Sequence, residues 1–154
     1  MTVYFLDSSA LVKRYISETG SEWVLGLFDP ALNHEVFVAA VTGVEIVAAI
    51  TRRARGGNIS ATDATAVRSQ FRGDLQTDYQ IIEITESIVS SGMTLAETYG
   101  LRGYDAIQLA ASRAVNELCI ANSLPPVIFV SADDELNVAA SNEGLVVENP
   151  NNKP

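Results

Sequence analysis

The run Val127-Ile128-Phe129-Val130 is apolar at every position, so a strand formed there has no face to offer to water. Strands of that kind belong to parallel sheets covered on both sides, because crossover connections lay helices over each face. Val3 to Leu6, Val36 to Val38, Tyr79 to Ile84 and Leu145 to Val147 are the other strand candidates, and helical periodicity fills the intervals between them. Ala10, Leu11 and Tyr15, then Trp23, Leu27 and Phe28, predict two helices broken near Gly20. A nearly all-apolar helix from about Thr42 to Arg53 stops before Gly56-Gly57-Asn58 and is expected to be buried on most sides. Ser60 caps a helix running to about Thr77, and helices from Ser87 to Tyr99, Tyr104 to Asn122 and Asp133 to Asn142 follow.

The pattern predicts one α/β domain over residues 1–149 with a central, mainly parallel sheet of four or five strands, and a frayed tail at 150–154. A chain of 154 residues buries a core large enough to need no disulfide, and a lone Cys119 between Leu118 and Ile120 reads as a small buried hydrophobe. Cytoplasmic placement is expected: Met1-Thr2-Val3-Tyr4-Phe5-Leu6-Asp7 has no basic segment ahead of its apolar run, and no apolar stretch reaches membrane-spanning length.

Charge distribution carries the functional signal. Asp7 is the only charged residue from Met1 to Val12, Glu45 the only one from Val36 to Thr51, and Asp105 the only one from Gly103 to Ser112; Asp133 ends a chargeless run that begins after Glu117. A carboxylate set in apolar sequence is expected to be partly buried, which is costly unless something positive meets it. No Lys or Arg adjoins Asp7 in sequence, and the nearest cation to Glu45 along its helix is Arg52. A hard divalent cation, Mg²⁺ or Mn²⁺, satisfies such a set through oxygen ligands alone. Taken singly, Asp7, Asp105 and Asp133 also suit helix N-termini as caps or dipole partners. Glu45, inside an apolar helix, does not, and its competing readings are an ion pair with a distant arginine or simple exposure.

The motifs Leu6-Asp7-Ser8-Ser9-Ala10-Leu11-Val12-Lys13, Thr42-Gly43-Val44-Glu45, Leu101-Arg102-Gly103-Tyr104-Asp105-Ala106 and Val130-Ser131-Ala132-Asp133 with Leu136-Asn137 resemble the PIN-domain nucleases, specifically the VapC-type toxins of toxin–antitoxin modules. The likeness spans residues 2 to 149. It implies a three-layer α/β/α fold with four acids gathered at one sheet edge, and cleavage of structured RNA at single-stranded sites. By this resemblance Asp7 and Asp105 are metal ligands, Glu45 and Asp133 complete the acidic cluster or hold metal-bound waters, and Ser9 or Ser8, together with Ser131, orient those carboxylates, Ser8 also suiting a turn or helix cap. Water activated by the ion attacks phosphorus in line, with no covalent enzyme intermediate. Of the tandem Asp133-Asp134, the spacing from Ser131 favours Asp133, since Asp134 is turned about 100° away on a helix.

The net charge of −9 opposes general affinity for nucleic acid. Between Arg52 and Arg72, however, five arginines share one stretch with the single acid Asp63, and Arg52, Arg53, Arg55 and Arg102 are candidate phosphate contacts. The resemblance further implies a homodimer and a small antitoxin whose basic arm suits an acidic groove. The competing reading is a protein-binding module of the same fold with structural acids.

Overall fold

The computed structural model describes residues 1–154. Its strands are β1 Val3–Leu6, β2 Glu35–Ala39, β3 Gln80–Ile82, β4 Ile128–Val130 and β5 Val146–Glu148, joined in one sheet of order β3-β2-β1-β4-β5. Every pairing is parallel, with Tyr4 opposite Val36 on one side of β1 and opposite Ile128 on the other. Seven helices cover the sheet: α1 Ser8–Tyr15, α2 Ser21–Gly26, α3 Thr42–Arg55, α4 Ala61–Thr77, α5 Glu86–Tyr99, α6 Gly103–Ala121 and α7 Asp134–Asn142.

Period-two alternation sorts the apolar strand residues into two cores. Val3 and Phe5 pack with Val127, Phe129 and the inner faces of α5, α6 and α7. Leu6 and Val130, with Tyr4 and Ile128 beside them, pack with α1 to α4. The rings of Phe5 and Phe129, both fully buried, stack on adjacent strands at 6.0 Å, and burying each side chain contributes about 1.5–3 kcal/mol. This double burial is why the strand sequences are apolar at successive positions.

The chain leaves β1 towards β2 and β3, then returns through α5 and α6 to β4 on the other flank of β1. Strand order therefore reverses between β1 and β4, and the crevice beyond their carboxyl ends is where α/β sheets bind ligands. Asp7 follows β1 directly, and Ser131 follows β4.

Three expectations are corrected. Helix α3 is not buried on most sides: Thr42, Ile46 and Ile50 form a single buried stripe, whereas Val44 is 67% exposed. Its outward apolar residues line open clefts against α1 and α4. Strand β3 ends at Ile82 rather than Ile84, because its partner β2 ends at Ala39, the residue paired with Ile82. Residues 150–154 are not frayed; Pro150–Asn152 form a 3₁₀ turn capped by Asn149, with Pro150 buried. Lys153 binds Glu148 at 3.2 Å and sits 5.5 Å from the Trp23 ring centroid.

Gly20 makes that docking possible, since its φ is +86° and a Cβ there would overlap the Pro150 carbonyl. Gly20→Ala is expected to destabilise the protein by about 1–3 kcal/mol in urea unfolding. Faster amide exchange confined to residues 149–153 and the start of α2 would accompany the loss.

Candidate active site

The peptide leaving β1 places Asp7 at the N-cap of α1, where its Oδ1 accepts the backbone N–H of Ala10 at 3.0 Å. The cap role expected of an aspartate here is therefore real, yet it uses only part of the carboxylate. Ser9 donates to Oδ1 at 2.7 Å and Ser131 donates to Oδ2 at 2.6 Å. Each serine also accepts from the loop after β4: Ala132 N–H to Ser9 at 2.9 Å, Asp133 N–H to Ser131 at 3.1 Å. Ser9 and Ser131 thus tie the β1–α1 junction to the β4–α7 junction through one carboxylate.

Asp7 is 3% exposed. Burial pushes its carboxyl up to about 6, against hydrogen bonds from Ser131, Ser9 and Ala10 that favour the charged form, and repulsion from Asp105 adds to the rise. Asp105 lies in the first turn of α6 and is likewise raised, by its own burial and then by Asp133 and Glu45, with Arg102 pulling the other way. Asp133 caps α7 by accepting the Leu136 N–H at 3.0 Å. Asp134 is exposed and accepts from the Asn149 side chain at 3.0 Å, so Asp133 is the member of the pair that faces Asp105.

Glu45 sits in the first turn of α3 and follows neither of its competing readings. It makes no ion pair and is half-buried. Its Oε1 instead accepts from Ser8 at 2.7 Å and from the side-chain amide of Gln108 at 3.0 Å. Gln108, being neutral, is the site residue that isolation from other charges does not mark, whereas Ser8, an alternative to Ser9 as an orienting hydroxyl, is the one that meets Glu45.

None of the four acids pairs with Lys or Arg within 4.0 Å. The donors are all hard oxygens carrying uncompensated charge, which fits Mg²⁺ or Mn²⁺ and excludes a thiolate or imidazole site. Their oxygens do not close into a cage, since no three His, Cys, Asp or Glu side chains come together at ion-binding distance. Asp7, Asp105, Glu45 and Asp133 share an electrostatic field rather than a preformed coordination sphere.

A cleft of about 520 Å³ opens beside Glu45, the one of the four acids that lines it, with Ser8, Ser9, Val44, Arg52 and Tyr104 among its other walls. Arg52 also borders a second groove between α3 and α4, shared with Arg55 and Arg72. Arg102 is exposed at the N-terminal end of α6. Arg53 binds Glu18 at 3.0 Å, and Lys13 holds the same carboxylate at 3.0 Å, so this ion pair joins α3 to the loop after α1.

The sequence profile of the PIN domain matches residues 4–140. The chain belongs to the PIN domain family. Ribonuclease VapC45 of Mycobacterium tuberculosis is 26% identical over 147 residues, covering 96% of this chain and 95% of that protein. Among solved structures, FitAB bound to a DNA fragment aligns with a TM-score of 0.67 at 13% identity, over 97% of this chain and 95% of that one. A toxin–antitoxin complex from Klebsiella pneumoniae aligns at 0.60 and 17% identity, over 96% and 97%. These structural likenesses establish the three-layer fold of this PIN domain. No helix in it is long and apolar enough to cross a membrane.

The raised carboxyl of Asp7 has a signed consequence for the metal-free protein. A carboxyl higher in the native than in the unfolded state contributes stability that is fully present below about pH 4 and lost as pH rises through about 6. Asp7→Asn removes this loss. Its unfolding free energy relative to wild type is expected to climb by about 2–3 kcal/mol between pH 4 and 7, measured by urea titration in chelator; a flat difference would show that Asp7 is not held in its unfavourable charge state.

Proposed function

We propose that this PIN domain is a metal-dependent endoribonuclease that hydrolyses RNA phosphodiester bonds at single-stranded sites, as the toxin of a toxin–antitoxin pair. The observation that carries the reading is the set of four carboxylates, none paired with a cationic side chain, whose charges act on one another beyond the carboxyl ends of β1 and β4. Similarity to a protein named as a ribonuclease, and a fold shared with chains of toxin–antitoxin complexes, support it. A small antitoxin, a homodimer and a cytoplasmic location belong to the same reading.

Asp7 and Asp105 are the proposed direct ligands of Mg²⁺ or Mn²⁺, with Glu45 and Asp133 completing the set. The bound ion supplies Lewis acidity and a more acidic water. The chain supplies the rest. Ser9 and Ser131 fix the plane of the Asp7 carboxylate, so that it meets an ion in one orientation. The neighbouring acids hold Asp105 and Asp7 in a field that favours a cation over a proton as pH rises. The cleft beside Glu45 has room for a nucleotide, with exposed Tyr104 offering an aromatic face and Arg52 a phosphate contact. Arg102 flanks the acids from α6, and Arg55 extends the basic rim along α3. Arg53 is left out of this role by its bond to Glu18.

Calorimetric titration with Mn²⁺ tests the reading without knowledge of the RNA. Saturable binding is expected, weakened more than about 100-fold in Asp7→Asn and Asp105→Asn, and cleavage of unstructured RNA by the wild type should stop in chelator and return with Mn²⁺. Absence of binding at millimolar Mn²⁺ by folded protein would sink the proposal and leave the acids structural.

Arg52→Ala and Arg53→Ala separate the two neighbours. Loss of the first is expected to raise the KM for RNA about tenfold, as for one lost charge-assisted phosphate contact, with unfolding unchanged. Loss of the second should lower stability by about 1 kcal/mol without affecting KM.

A further inference from the structure

Gln108 lies one helical turn after Asp105 on α6, on the same face and further in. It is 2% exposed and surrounded in sequence by Ala106, Ile107, Leu109, Ala110 and Ala111. A glutamine at so buried a place is expected to satisfy both ends of its amide. Only one end is satisfied. Nε2 meets three oxygens: Thr42 Oγ1 at 2.8 Å, Glu45 Oε1 at 3.0 Å and Ser8 Oγ at 3.2 Å. Oε1 is buried with no hydrogen-bond partner.

The orientation of the amide is forced, because reversing it would set a carbonyl oxygen against the Glu45 carboxylate. The unpartnered Oε1 is thus the cost of presenting N–H groups to that carboxylate, and an apolar residue of similar length would carry no such cost. A buried polar group that disfavours folding marks a position held for something other than the fold.

We infer that Gln108 is a positioning residue for Glu45, an inference that rests on the metal-dependent reading of the site. Gln108 and Ser8 hold Oε1 between them, so the carboxylate cannot rotate freely, and no hydrogen bond reaches Oε2, which remains open to a ligand. The second amide proton goes to Thr42, which is fully buried one turn before Glu45 on α3. The amide thereby sets the spacing between the two helices that carry Glu45 and Asp105. The α1 hydroxyl of Ser8 and the α6 amide of Gln108 act together on one carboxylate oxygen while Thr42 steadies the amide, and the field at Asp105 is set partly by where that oxygen lies.

Gln108→Met keeps the length of the side chain and removes the amide; Gln108→His restores an N–H donor. The measurements are Mn²⁺ affinity by calorimetry and thermal unfolding of the same samples in chelator. Gln108→Met is expected to weaken Mn²⁺ about tenfold while its Tm stays within about 3 °C of wild type, and Gln108→His to recover most of the affinity. In a Glu45→Gln background, Gln108→Met should cost nothing further, because the residue acts through Glu45.

Wild-type affinity in Gln108→Met beside a weakened Glu45→Gln would overturn the inference and leave the metal reading standing. An additive loss in the double variant would overturn it as well. Failure of wild-type protein to bind Mn²⁺ would remove the function reading and the inference with it. Ser8→Ala, at a half-buried position, covers the case in which Gln108→Met does not fold: it takes away the other donor to Oε1, and unaltered Mn²⁺ affinity there would refute the clamp.

Discussion

Everything at the sheet edge turns on a carboxylate kept out of water. Asp7 gives up hydration, and its compensation comes from neutral donors rather than a cation: two serine hydroxyls and one helix N–H. Neutral donors orient a charge without cancelling it. The Ser131 and Ser9 bonds also join the connections that follow two neighbouring strands, adding to the bond from the Asp7 N–H to the Val130 carbonyl, so the loops after β1 and β4 are held around the anion they surround.

A second arrangement, equally free of cations, operates at Glu45. Its partners come from α1 and α6, whereas the carboxylate itself comes from α3. The arginines nearby are placed with different purposes. Arg53 is drawn into a three-member ion pair with Glu18 and Lys13, which helps fasten α3 to the segment between α1 and α2. Arg14 likewise sits 3.9 Å from the Phe28 ring centroid and binds Asp78 at 2.7 Å, closing the far end of the same layer. Arg52 and Arg55 alone of the α3 arginines stay turned to solvent.

Much of this was legible beforehand. Successive apolar residues in Val127–Val130 announce a sheet covered twice, and the β strands fall within a residue or two of their expected places, the widest difference being at β3, which stops at Ile82 where its partner strand ends. Isolation from other charges marks Asp7, Glu45, Asp105 and Asp133, and the carboxyls of Asp7 and Asp105 are both raised, first by burial and then by repulsion from neighbouring acids. Gln108 carries the same signal in uncharged form, being the only strongly polar residue between Asp105 and Ser112, and isolation of charge cannot mark it because it bears none. Ser8 reads as a helix start from local sequence because its partner is 37 residues away. Nothing local separates Arg53 from Arg52, since the difference is made by Glu18, a contact set by how α3 crosses the α1–α2 loop.

The two cores lie on opposite faces of the sheet, and the crevice draws on both. Glu45 and Ser8 ride on the layer built by α1 to α4, while Asp105, Gln108 and Asp133 belong to the layer of α5 to α7. Whatever is held between those residues therefore acts as a clasp across the sheet, and its binding energy becomes resistance to sliding of one layer over the other. Local opening of α3 and of α6, already linked by the Gln108 bonds to Thr42 and Glu45, would be coupled more tightly still by a ligand held between the two layers.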